Sequence, residues 1–170
     1  MLERNDAMKH VFVNGRVAVI IRYWEQRGAA IEGGARVDIR RVTQLEGPAH
    51  RAGAAGFTVA PDGDGGVWRA DLFVVLSEGG RECFHYHPHF RDNDVGERFD
   101  EDAITADPRQ WIEDSLRDLP GILASSGAED LIASLDMDAH RRSIPLMIAS
   151  VDACLARVPI ASAAMLDRTD

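Results

Sequence analysis

The sequence predicts an α+β domain, with an antiparallel sheet of about five or six strands covered on one face by three or four C-terminal helices. Three observations predict it. Runs with period-two alternation of apolar side chains fall in residues 8–106, and helix-start signals with helical periodicity fall in residues 107–166. No flexible linker or internal repeat separates the two, so strands first and helices second read as one domain over residues 1–170. A chain of 170 residues removes roughly 70% of its unfolded surface from water, enough for a core without staples.

In order, Val11-Phe12-Val13 and Arg16 to Trp24 flank Asn14-Gly15, the pair that best tolerates a type I′ turn, and predict an N-terminal hairpin. Glu32-Gly33-Gly34 marks a break, after which Val37, Ile39 and Arg41 alternate with Asp38, Arg40 and Val42 in a third strand. From Glu46 to Gly66 the chain reads as a long loop with one short strand at Phe57-Thr58-Val59. Asp62 to Gly66 is a turn, because Val67 and Phe73 stand where a calcium loop needs glycine and a bidentate glutamate. Val67 to Leu76 is apolar on both faces apart from Arg69 and Asp71, the pattern of a central strand. A hairpin at Glu78-Gly79-Gly80-Arg81 is expected to set Leu76 opposite Cys83, Val74 opposite His85 and Leu72 opposite His87. Arg91 to Asp102 is an acidic loop with a short edge strand.

Asp107-Pro108-Arg109-Gln110 gives an N-cap, a proline at the first helical position and a capping-box glutamine, and Pro120-Gly121 breaks or restarts that helix. Ser126-Gly127-Ala128-Glu129 repeats the capping pattern ahead of Leu131, Ile132 and Leu135. A last helix is expected from about Ser143, with Pro145 in its first turn, to a stop at Pro159.

Composition excludes several function classes. A net charge of −9 disfavours nucleic acid unless basic groups cluster, and the seven arginines of residues 16–51 give that segment only a thin excess over four acids. Two cysteines, Cys83 and Cys154, are too few for a disulfide framework and predict a cytoplasmic setting. No run approaches the roughly 18 apolar residues of a membrane helix. Neither a nucleophile elbow nor a phosphate-binding glycine loop occurs around Ser77, Ser125 or Ser126. His10, His50 and His140 stand alone and read as surface or capping residues.

One stretch carries pointed chemistry: Cys83-Phe84-His85-Tyr86-His87-Pro88-His89-Phe90 sets three of the six histidines on alternate positions. On an extended backbone Cys83, His85, His87 and His89 share a face, and imidazoles two residues apart can share a zinc-type ion. His85, His87 and His89 are therefore the candidate ligands, with Cys83, Asp92, Asp94 or Glu97 as a further one and Glu97 or Asp100 as a proton acceptor for metal-bound water. His85-Tyr86-His87 resembles the His-x-His strand ligands of the carbonic anhydrase and cupin families. The resemblance covers three residues, without a glutamate and later histidine at cupin-like spacing, so it implies the ligand pair and carries over neither fold nor activity.

Three functions compete. The first is a binding domain that meets a protein partner, or a second copy of itself, through its sheet and acidic loop; the apolar helix from Ile144 to Val158 and the tail from Ile160 to Leu166 favour it. The second is a metal-binding protein or metal-dependent enzyme centred on the histidine row. The third is a cupped domain holding a small ligand against Trp68, Leu72, Phe73 and Tyr86.

Overall fold

A computed structural model of the chain describes residues 9–44, 57–58 and 65–158. Its centre is a five-stranded, fully antiparallel sheet in the order β1-β2-β3-β6-β7, built from β1 (Lys9–Asn14), β2 (Val17–Arg27), β3 (Ile31–Arg41), β6 (Gly66–Val75) and β7 (Arg81–His87). Between β3 and β6 the chain leaves the sheet, and there β4 (Thr43–Gln44) pairs with β5 (Phe57–Thr58). The rest of the expected Glu46–Gly66 loop, His50, the Pro159 stop and the apolar tail lie outside the described residues, save for Gly65 and for Gly66, which opens β6. Among the described residues four α-helices follow: α1 (Asp102–Ala106), α2 (Pro108–Arg117), α3 (Leu119–Ser125) and α4 (Met137–Leu155), with a 3₁₀ segment over Glu129–Ser134. The α+β arrangement with helices after strands is the one the sequence predicts.

The strands sort their side chains by parity. Val19, Ile39 and Trp68 stand in register on one face, as do Ile21, Val37, Ala70 and Tyr86, and Tyr23, Ala35, Leu72 and Phe84. These join Ile112, Leu116, Leu119, Leu123, Ile144, Met147, Ile148 and Val151 of the helices in the main hydrophobic core. Each fully buried aliphatic side chain contributes roughly 1.5–3 kcal/mol relative to exposure, so this face holds the sheet to its helices.

Several local expectations are corrected by tertiary geometry. Asn14 pairs with Val17, so the first turn is Gly15-Arg16 and only Gly15 has positive φ (57°), the sign pattern of a II′ turn in place of I′. Asn14 is thereby free to donate from Nδ2 to the Asp136 carbonyl (2.8 Å) and to accept from the Asp136 N–H (2.8 Å), fastening the hairpin to the start of α4. Asn14→Ala is expected to lower stability by about 1–2 kcal/mol, read as a lower urea midpoint with unchanged slope. Gly33-Gly34 is no break: β3 runs through it, and a Cβ on Gly34 would collide with the Leu72 carbonyl oxygen of the adjoining strand.

Asp107 caps α2 by accepting from the Gln110 N–H (2.9 Å), as expected, although the Gln110 side chain bonds Asp114 instead of completing the box. Asp118 accepts from the Gly121 N–H (3.2 Å) and starts α3, which makes the Pro120 break a restart. Ser126 caps nothing; its hydroxyl is buried without a partner and the 3₁₀ segment begins at Glu129. Asp136, accepting from the Ala139 N–H (2.9 Å), starts α4 six residues before Ser143 and leaves Pro145 inside the helix. The carbonyl that Pro145 cannot serve belongs to exposed Arg141, where water can reach it. Burial also overrides the surface expectation for His140, whose Nε2 donates to the Leu116 carbonyl (2.7 Å). No helix among the described residues is long and apolar enough to cross a membrane.

Candidate metal centre

The sheet face turned away from the core cluster carries charge where a buried surface normally carries hydrocarbon. Arg36 and Asp71 stand directly opposite across β3 and β6, and so do Asp38 and Arg69, which gives a two-by-two checkerboard of opposite signs. Both pairs are bidentate. Arg36 donates from Nε to Asp71 Oδ1 (2.6 Å) and from Nη2 to Oδ2 (3.1 Å); Arg69 donates from Nε to Asp38 Oδ1 (2.6 Å) and from Nη2 to Oδ2 (2.8 Å). Asp38 also meets Arg40 (3.5 Å) and Arg22 (3.6 Å), and Arg40 continues to Asp92 in a close ion pair. Phe90 lies over Arg69, its ring 3.8 Å from the guanidinium carbon, and so shields this end from water.

The histidines join this network because of the hairpin that precedes them. A 3₁₀ turn over Leu76–Glu78 followed by Gly79 and Gly80, both at positive φ (69° and 84°), makes a five-residue loop closing on the Val75–Arg81 pair. An odd loop reverses the parity expected from Glu78-Gly79-Gly80-Arg81. Phe73, not Leu76, is opposite Cys83; Asp71, not Val74, is opposite His85; and Arg69, not Leu72, is opposite His87.

Three ligand atoms result, one each from Asp71, His85 and His87, all within 4.8 Å of one another and all from buried residues. His85 Nδ1 lies 2.9 Å from the Cys83 carbonyl oxygen; that oxygen only accepts, so Nδ1 carries hydrogen. The other ring nitrogen, Nε2, faces Asp71 Oδ2 at 3.5 Å, and His87 Nε2 faces the same oxygen at 3.9 Å. The two rings stand nearly perpendicular, 84° apart with centroids at 5.1 Å. A lone pair on His85 Nε2 pointed at a carboxylate is stable only with a positive centre between them, either a proton or a metal ion.

Electrostatics favour the ligand form of two of the three donors, Asp71 and His87. Burial pushes the Asp71 carboxyl up, yet the His85 hydrogen bond together with Arg36 and Arg69 holds it well below the usual carboxylate range. Burial pushes the His87 imidazole below its ordinary value, with His85 acting in the same direction against the pull of Asp71. The Glu97 backbone favours protonated His87, but Nδ1 of that ring makes no hydrogen bond of ordinary geometry.

Other expected site residues lie elsewhere. Pro88 ends the strand, and His89 sits exposed in the turn beyond β7. Cys83 Sγ accepts from Arg98 Nη2 (3.6 Å). Asp92 accepts from the Gly65 and Gly66 N–H groups besides pairing Arg40; Asp94 accepts from the Gly96 N–H; Glu97 is exposed, and Asp100 is paired with Arg98. None of these belongs to the three-residue group. Of the expected ligand pocket, Trp68, Leu72 and Tyr86 face the helices, with Trp68 stacked on Trp111 at 5.9 Å and Tyr86 5.3 Å from it, whereas Phe73 lies on the charged face beside Arg36. The four do not line one cavity.

Asp71 is the site residue that the histidine pattern in the sequence does not single out. Compared with protein-family models, with curated proteins and with solved structures, the chain finds no match, so the site is read from its own geometry.

Proposed function

We propose that the protein binds a divalent transition-metal ion of the zinc type through Asp71 Oδ2, His85 Nε2 and His87 Nε2. The observation that carries this is the convergence of two imidazole nitrogens on one carboxylate oxygen (3.5 and 3.9 Å), with the hydrogen of His85 already committed to the Cys83 carbonyl. Metal-ligating histidines characteristically donate their second N–H to a backbone carbonyl, and ligating carboxylates are themselves hydrogen-bonded, as Asp71 is by Arg36.

A buried ion-pair network that only braces the sheet accounts for the Arg36–Asp71 pair. It gives no reason for a second histidine, His87, aimed at the oxygen that His85 already faces. Zinc–nitrogen bonds of about 2.0–2.1 Å require the ligand atoms to close by a few tenths of an ångström or more, which side-chain rotation supplies. Three protein ligands leave coordination positions for water or substrate, the arrangement of catalytic sites in contrast to closed structural ones.

Protein purified without an affinity tag and dialysed against zinc is expected to retain one ion per chain and to unfold at a higher temperature than the EDTA-treated form. Saturation at about 100 times the dissociation constant corresponds to roughly 2.7 kcal/mol of added stability. His85→Ala and His87→Ala are expected to abolish both signals and His89→Ala neither. Zinc retained equally by the first two variants would overturn the assignment.

A second reading, self-association, draws on edge strand β1, where exposed Val11 and Val13 stand on a strand that, among the described residues, pairs only on its β2 side, and exposed Leu146 lies on α4. A solution mass of one chain at high concentration removes it.

A further inference from the structure

We infer that the metal ion is bound together with a dianionic oxyanion, a phosphate monoester in chemical class, held on the same sheet face by Arg22 and the Trp24 indole N–H. The inference rests on the metal reading and extends it to the ligand.

Charge balance is the first argument. The ion-paired groups on this face are four arginines (Arg22, Arg36, Arg40 and Arg69) and three aspartates (Asp38, Asp71 and Asp92), the Arg36–Asp71 pair feeling the rest through the charge of Arg69, and with neutral imidazoles they carry one excess positive charge. A divalent ion raises the excess to three, while its only charged ligand, Asp71, is already matched by Arg36. Uncompensated charge in a desolvated region is costly enough that the ion must bring anions with it. A carboxylate or sulfate ester offers one negative charge. A phosphate monoester offers about 1.5–2 at neutral pH and three acceptor oxygens, and so meets most of the excess in one group.

Orphaned donors are the second argument, and they are independent of the metal. Among the described residues Arg22 Nε and Trp24 Nε1 are both shielded from solvent and without a hydrogen-bond partner. Arg22 reaches a carboxylate only through Nη2 at 3.6 Å, and that Asp38 oxygen already accepts from Arg69 at 2.8 Å. The two donors sit together, because the Arg22 guanidinium lies over the Trp24 ring at 4.8 Å. The Arg36 guanidinium lies over the same ring at 4.4 Å while gripping Asp71. In cross-strand register Arg22, Arg36, Asp71 and His85 form a single row. Arg22 thus stands two strands from Asp71, a Cα separation of roughly 10 Å that an arginine side chain and a tetrahedral oxyanion span between them, with Trp24 two residues along in the row of Gly34 and Phe73. Both unused groups are donors, so what satisfies them is an acceptor.

The test uses zinc-loaded full-length protein with phenyl phosphate as probe and phenyl sulfate as the singly charged control of the same shape, read by calorimetric titration. Phenyl phosphate is expected to bind at least about tenfold tighter than phenyl sulfate, and about tenfold tighter with zinc than after EDTA treatment. Linkage requires it to tighten zinc by the same factor, a measurement that needs no variant. Arg22→Gln is expected to remove most of the phosphate enhancement. Zinc bound at one per chain with no preference for phenyl phosphate, or with no reciprocal tightening, overturns this inference and leaves the metal reading standing. Failure to bind zinc overturns both.

Discussion

Replacing Asp38 with alanine is expected to cost about 3–5 kcal/mol of folding free energy, a large part of the roughly 5–15 kcal/mol available to a domain. Asp38 is only 1% exposed and accepts from Arg69 through both oxygens while meeting Arg40 and Arg22. Alanine strands the buried Arg69 guanidinium and takes one contact each from Arg40, which keeps Asp92, and from Arg22, which is partly exposed, and the penalty comes from the stranded charge more than from the bonds lost. Truncating both partners of the bidentate pair, as Asp38→Leu with Arg69→Met, is therefore expected to cost less than Asp38→Ala alone, since no charge of that pair is left unmatched. Equilibrium urea unfolding of the single and double variants decides it. A single variant within about 1 kcal/mol of the parent would mean that the network is hydrated and contributes little.

The strands and most helix starts were legible because they depend on local signals. Alternation in Val37-Asp38-Ile39-Arg40 and the N-cap at Asp107 report structure fixed within a few residues. Starts that depend on packing were not. The first turn of α4 exists because His140 and Ile144 bury against neighbours contributed from far along the chain, and nothing near Pro145 announces that. Gly33-Gly34 looks like a break for a similar reason. Those glycines accommodate the Tyr23 hydroxyl and the Leu72 carbonyl, which come from the two flanking strands.

The site was half legible. Two imidazoles on one strand face follow from pleated geometry, and His85 and His87 do stand together. Their partner depended on the parity of a loop, and a five-residue turn and an even-numbered one place opposite faces against the histidines. A longer-range signal was present: Arg36, Asp38 and Arg40 share a face of β3, Arg69 and Asp71 share a face of β6, and His85 and His87 share a face of β7. Charged residues on central strands demand partners, so aligning the three polar stripes fixes the register that the hairpin sequence leaves open.

Asp71→Asn is expected to cost about 3–5 kcal/mol at neutral pH and to remove much of the acid sensitivity of the fold. Asparagine keeps the shape of the side chain but strands the Arg36 guanidinium, which now grips Asp71 through two bonds of 2.6 and 3.1 Å. The pH dependence follows from the direction of the shift. Burial works against the Asp71 carboxylate, but His85, Arg36 and Arg69 hold its folded-state pKa well below the unfolded value of about 3.9. A depressed carboxylate contributes stability that is fully present above the unfolded pKa and is lost as pH falls toward the folded one. The parent protein should therefore lose this contribution from roughly pH 4 downward, whereas the variant has none to lose. Urea midpoints measured in EDTA at several pH values should show a gap between parent and variant that is wide at pH 7 and narrows in acid. The chelator keeps metal binding out of the comparison. A gap that stays constant from pH 7 to the acid limit would show that Asp71 is not held ionised by its neighbours, and with that the carboxylate that the two imidazoles face would lose its place as an anionic ligand.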